Sequence, residues 1–234
     1  MSVETIRLPY TDRAEAGRVL AERLVPLGLS RAVVLALPRG GVPVGYEVAR
    51  RLSGPGPAVP LEVLVARKIG YPRQPELGVG ALTEDGPPVF DAGLLERLRL
   101  TPEDLAATVR AERAELARRT EVYRRGRPLP ELAGRDVVVV DDGLATGGTA
   151  RVALAAVAAR KPARLVLAVP VGAAETVDAL AAEGRGEGGA GGGFEVVVPA
   201  APRPFRAVGQ WYRDFDQLTD ADVIAWLDRA AADG

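Results

Sequence analysis

The stretch VVVVDDGLATGGTA (Val137–Ala150) decides the fold. Four β-branched residues in a row suit a strand buried on both faces, as in a parallel sheet. The strand ends in two adjacent acids, Asp141 and Asp142, followed by a small-residue turn and a helix opening near Gly147. In an open α/β sheet this is the carboxyl edge of a strand, where ligands bind.

Outward from this stretch the same alternation repeats. Near-continuous apolar runs at Ala32–Leu37, Leu61–Ala66, Asp136–Val140, Arg164–Val169 and Phe194–Val198 read as strands. Ala-rich stretches at Thr11–Pro26, Val42–Leu52, Gly147–Ala159 and Ala173–Glu183 read as helices between them. The expected class is therefore α/β, a doubly wound, mostly parallel five-stranded sheet. We expect one domain over 1–234, with a core of about 28–200, an insert of about 78–127 and a C-terminal hood of about 201–234. Within the insert, Gly78–Phe90 resembles a hairpin turning at Glu84-Asp85-Gly86, and Thr101–Arg125 reads as a helix capped by Thr101. Leu105, Val109, Leu116 and Tyr123 share one stripe of that helix, which must pack on something. The glycine-rich run Gly184–Gly193 reads as a flexible surface loop, and Thr219 as the cap of a last helix.

The turn after the acids is built for an anion. Small residues (Ala145, Gly147, Gly148) let backbone N–H groups converge, the helix start adds partial positive charge, and Thr146 and Thr149 add hydroxyls. Two acids cannot share that phosphate, so they face hydroxyls or a metal. A phosphate beside a diol is the chemistry of ribose 5-phosphate, with Asp141 and Asp142 accepting from the 2′ and 3′ hydroxyls. Four apolar residues, two acids, two spacers and a small/Thr-Gly loop ending in Thr resemble the motif with which type I phosphoribosyltransferases bind 5-phosphoribosyl-1-pyrophosphate (PRPP). Gly143 departs from that motif, which usually has an aliphatic residue there.

The resemblance extends to other strand ends. Leu37–Gly45 (LPRGGVPVG) is similar to the family's pyrophosphate loop, which implies that Arg39 and Gly40 bind pyrophosphate and that a non-proline cis bond lies near Arg39-Gly40. Ala66–Gly80 corresponds to a mobile loop that closes over pyrophosphate, with Arg67 and Lys68 neutralising the leaving group. Trp211 and Tyr212 are candidates to stack on a planar acceptor, or to pack, with Arg206 and Asp214 as weaker polar contacts. By resemblance, Arg39, Lys68, Asp141 and Asp142 carry catalysis: ribose 5-phosphate passes from PRPP to a small nitrogen acceptor, expected to be a nucleobase, and pyrophosphate leaves. Mg²⁺ would arrive with PRPP, touching Asp141 or Asp142, with no dedicated protein site. Enzymes for 6-oxopurines place an Asp where this chain has Ala145, which argues against those acceptors. The arrangement looks most like the group of predicted phosphoribosyltransferases whose substrate is unassigned. The alternative is a non-catalytic PRPP-binding regulator of nucleotide metabolism.

Composition narrows the rest. The 234 residues contain no Cys and no His, which excludes disulfides, thiol nucleophiles and Ser-His-Asp relays. A net charge of −1 gives no global attraction to nucleic acid or membrane. The seven arginines from Arg110 to Arg127 face three glutamates at helical spacings, which suits a solvated face better than an RNA site. Without a signal segment or membrane span, a cytoplasmic protein is expected, and a homodimer by analogy with the family. Twenty-eight Arg against two Lys, with no Asn, suits a thermophile or a GC-rich genome.

Overall fold

A computed structural model describes residues 6–84, 86–186 and 193–233. The first half runs α1 (Arg13–Leu24), β1 (Val33–Ala36), α2 (Gly41–Ser53), β2 (Leu61–Val63), β3 (Ala66–Tyr71), β4 (Gln74–Thr83), β5 (Val89–Phe90), α3 (Ala92–Leu98) and α4 (Ala106–Arg124). The second half runs β6 (Asp136–Val140), α5 (Gly148–Ala158), β7 (Arg164–Ala168), α6 (Ala174–Gly184), β8 (Glu195–Val197) and α7 (Asp220–Ala232). Five strands form one parallel sheet in the order β2-β1-β6-β7-β8.

The apolar runs alternate between the two faces of this sheet. Val34, Val138, Val140 and Val166 meet Leu20 and Leu24 of α1 and Val44 and Val48 of α2. Val33, Leu35, Val137, Val139 and Leu167 meet Leu154 and Val157 of α5 and Leu180 of α6. Each fully buried aliphatic side chain is worth about 1.5–3 kcal/mol, so the two apolar layers dominate stability. From β1 the chain winds toward β2, whereas from β6 it winds toward β7. The loops leaving β1 and β6 therefore lie side by side at the topological switch point.

A second, antiparallel sheet, β3-β4-β5, stands beyond the parallel one. The expected strand Leu61–Ala66 is really two elements: β2 stops at Val63, and β3 opens at Ala66. The expected mobile loop 66–80 is a β-hairpin, with Ala66 opposite Thr83 and Tyr71 opposite Gln74. Its backbone groups pair across the strands, which holds the segment in place of a free loop. The antiparallel addition thus begins at 66, ahead of the expected insert boundary at 78. The expected turn at 84–86 does connect β4 to β5, with Asp85 outside the described residues. The expected helix opens as a 3₁₀ turn, Glu103–Leu105, capped at Pro102 and not at Thr101, whose hydroxyl accepts the Asp104 N–H only at 3.4 Å; α4 follows directly. Its stripe packs as expected: Leu105, Leu116 and Tyr123 are buried with Ile69, Val79 and Leu82 of the hairpin and Val223 and Leu227 of α7. Thr219 caps α7 through a reciprocal pair with Asp222. Most of the 184–193 run lies outside the described residues. No described helix is long and apolar enough to cross a membrane.

One ion pair ties the two sheets together. Arg124 and Glu84 meet at 2.6 Å with side chains only 5% and 7% exposed. Arg124 also donates to the Val63 carbonyl at 2.7 Å, and Glu84 accepts from the Val65 N–H at 3.1 Å. Removing one member leaves a buried, uncompensated charge. Glu84→Ala is expected to lower unfolding free energy by about 3–5 kcal/mol in denaturant titrations, with Arg124→Met/Glu84→Leu recovering most of it.

Candidate functional site

Asp141 and Asp142 leave β6 at the switch point, and the loop leaving β1 presses directly against them. The Leu37 N–H donates to the Val140 carbonyl at 2.8 Å, which continues the β1–β6 pairing into the loop. A Cβ on Gly40 would overlap the Asp142 carboxylate, and one on Gly41 would lie 2.7 Å from the Val140 carbonyl oxygen. Only glycine permits this approach, which brings the 38–41 backbone to the acid pair. The non-proline cis bond lies between Pro38 and Arg39, one peptide earlier than the Arg39-Gly40 bond expected from sequence.

Each acid has one oxygen engaged by the protein. Asp141 Oδ1 accepts the Asp142 N–H at 2.8 Å, and Asp142 Oδ2 accepts Arg13 Nε at 2.8 Å. Burial raises the Asp141 pKa well above the usual carboxylate range, and the neighbouring Asp142 charge raises it further. Asp142 is also pushed up by burial, against the lowering effect of Arg13. Its side chain keeps 15% exposure. Among the described residues no group of three or more acids could cage a metal. The two remaining carboxylate oxygens suit a diol, or an ion that arrives with most of its oxygen ligands.

The turn that follows offers amides to an anion. Gly147 takes φ 77° and begins α5 with no side-chain cap, so the first-turn N–H groups are left for a ligand. The carbonyls are held elsewhere: Ala145 accepts from Thr176 Oγ1 at 2.6 Å, and Thr146 from Arg151 at 3.1 Å. Thr146, Gly148 and Thr149 line a cavity of about 320 Å³ together with Arg67 and Lys68 of β3. Gly78 lies under the Lys68 stem, where a Cβ would meet its Cδ at 2.9 Å.

The remaining expected site residues fall in different surroundings. Arg39 does not line that cavity; its charge acts on Tyr123, Asp220 and Asp222, near the junction of α4 and α7. Arg67 lines the cavity and also pairs with Glu112 of α4 at 2.6 Å. Tyr212 is buried, with its ring 5.7 Å from Tyr10 and 4.9 Å from Phe215, and its hydroxyl donates to the Asp142 carbonyl at 2.5 Å. Its place is in packing rather than as a stacking face. Trp211 stays partly exposed, 6.0 Å from Phe205. Arg206 and Asp214 are exposed. At Gly143, a Cβ would overlap Val208, so the C-terminal segment fills the volume that an aliphatic side chain at 143 would need.

One member of the site was not anticipated from sequence. Arg13, 129 positions from Asp142, is its ion-pair partner. The arginines of α4 are engaged along the helix: Arg118 and Arg119 with Glu115, Arg124 with Glu84, and Arg125 with Asp228. Of the two pairs that i,i+4 spacing suggests, Glu115–Arg119 forms, whereas Arg125 pairs with Asp228 of α7 instead of Glu121.

Known proteins resemble this chain in sequence and fold. The family model of the phosphoribosyl transferase domain matches residues 11–183. Proteins of Mycobacterium tuberculosis strains CDC 1551 and H37Rv, provisionally named phosphoribosyl transferases, are each 46% identical over 224 residues. Those matches cover 96% of this chain but 47% of the relatives, so the chain spans about half of their length. The crystal structure of TT1426 from Thermus thermophilus superposes with a TM-score of 0.77 at 44% identity, covering 94% of this chain and 98% of that one. The family match encloses the β1 loop, the hairpin and the acid-pair turn together, and by it the chain belongs to the phosphoribosyl transferase family.

Proposed function

We propose that this chain binds PRPP and transfers its ribose 5-phosphate to a nitrogen acceptor, releasing pyrophosphate. One observation carries the reading: two carboxylates, each with one oxygen still open, directly precede a helix start whose amides no side chain caps. Such a pair suits a vicinal diol, and such a helix start suits the 5′-phosphate. In this reading Thr146, Gly147, Gly148 and Thr149 hold the phosphate, and Lys68 adds charge from the same cavity.

The reaction breaks the bond between ribose C1 and the pyrophosphate oxygen, and the bonding pair leaves with pyrophosphate. The acceptor nitrogen then forms its bond to C1 from the opposite face and gives up a proton. Positive charge grows on the ribose while the acids hold its hydroxyls; negative charge grows on the leaving group, which in this reading Lys68, Arg67 and the Gly40 amide offset, with Arg39 swinging to it from the α4–α7 junction. Mg²⁺ arriving with PRPP would neutralise part of that charge, and Asp141 or Asp142 would be the residues to hold it. The acceptor we favour is a nucleobase against Trp211. Ala145 offers no carboxylate to a purine, so a 6-oxopurine is disfavoured.

Two measurements test this reading. Calorimetric titration with PRPP and Mg²⁺ should give micromolar binding to wild type, weakened about 100-fold or more in Asp141→Asn/Asp142→Asn, since each lost charged hydrogen bond costs about 1.5–3 kcal/mol. A folded wild type that binds no PRPP overturns the proposal. The second concerns the free protein. The folded-state pKa of Asp141 is raised, so its contribution to stability is present below the unfolded value and is lost as pH rises through the folded value. Asp141→Asn should therefore melt at a higher temperature than wild type at about pH 7.5, with the difference vanishing near pH 3, where the acid is largely protonated in both states.

A further inference from the structure

Arg13 sits where helix physics disfavours it. It is the first residue of α1, and a cation at a helix N-terminus opposes the macrodipole. Its partners explain the placement. Nε donates to Asp142 Oδ2 at 2.8 Å, Nη1 donates to the Asp216 carbonyl at 3.0 Å, and the guanidinium lies 3.9 Å over the Phe215 ring. The side chains of Arg13 and Asp142 are only 11% and 15% exposed.

The segment that supplies these partners is itself fixed to the N-terminal stretch that precedes α1. Tyr10 N–H donates to the Trp211 carbonyl, Arg213 N–H to the Tyr10 carbonyl, and Asp214 N–H to the Thr11 carbonyl, at 2.8–2.9 Å. Tyr212 reaches the Asp142 carbonyl from the same segment. Asp142 is thus gripped at its carboxylate by residue 13 and at its backbone by residue 212.

We propose that Arg13 is a positioning residue for the ribose: it occupies Oδ2 of Asp142 and fixes the carboxylate so that Oδ1 is presented to the sugar diol. The inference rests on the PRPP reading of the acid pair. Arg13 need not touch substrate. Its fork spans Asp142 and the Asp216 carbonyl together, which a lysine ammonium cannot reproduce. Without it, Asp142 is free to rotate beside Asp141, and the alignment of the two open oxygens is lost.

The consequence is selective. An arginine that only joined the chain's two ends would alter stability without discriminating between ligands. A positioning arginine alters binding of the diol and spares the phosphate turn. Arg13→Gln, Arg13→Lys and Phe215→Leu would be titrated with PRPP and, separately, with inorganic phosphate. In Arg13→Gln we expect PRPP binding about 10- to 100-fold weaker, with phosphate binding unchanged within about twofold. Arg13→Lys should recover only part of the loss, and Phe215→Leu, which keeps apolar volume under the guanidinium, should show a smaller loss of the same selectivity. Unchanged PRPP affinity in folded variants, or equal losses for both ligands, overturns the inference while leaving the PRPP reading in place. Absence of PRPP binding by wild type overturns both.

Discussion

Two carboxylates on consecutive residues, at the end of a strand buried on both faces, repel each other and have lost much of their water. Burial pushes both pKa values upward, and mutual repulsion adds to the rise at Asp141. The surrounding structure meets this electrostatic cost element by element. The sheet order sets β1 beside β6, so glycines from the β1 loop can press on the acids. α1 lies on the sheet face that lets its first residue reach Asp142. The C-terminal segment crosses behind, with Tyr212 on the Asp142 carbonyl. The acid pair is a local destabilisation surrounded by supports.

The parallel sheet was legible because a strand buried on both faces must be apolar throughout, and Val137–Val140 has no other reading. The acid pair and its turn were legible for a related reason: all the chemistry lies within nine consecutive residues. β3 was not legible, because ARKIGY buries only Ile69 fully and takes its strand form from pairing with β4. Its polar residues and glycine resemble a loop until the partner strand is known. Arg13 was hidden by distance along the chain, since no local pattern links it to position 142. Tyr212 was ambiguous between stacking and packing, and only its contacts with Tyr10 and Phe215 separate the two.

The insert has a physical role that its charged composition obscures. α4 buries one stripe against the hairpin and α7, while its arginines pair with acids on the same helix, on the hairpin side and on α7. It therefore braces the β-hairpin whose Lys68 shares a cavity with Thr146 and Thr149. The Arg67–Glu112 pair adds a direct tie between hairpin and helix beside the cavity. In this chain the cover of the site is a packed, hydrogen-bonded sheet, so its placement depends on a hydrophobic core of its own.

The grip of residues 211–216 on residues 10–13 and on Asp142 has a consequence for biosynthesis. A ribosome delivers Arg13 and the acid pair well before it delivers Phe215 and Asp216. An emerging chain can lay down β1, β6 and the turn at 143–149 before the contacts of residues 212 and 216 exist. The Arg13 contacts are thereby completed only after translation has passed residue 216, and the order of synthesis itself separates folding of the sheet from closure of this contact network.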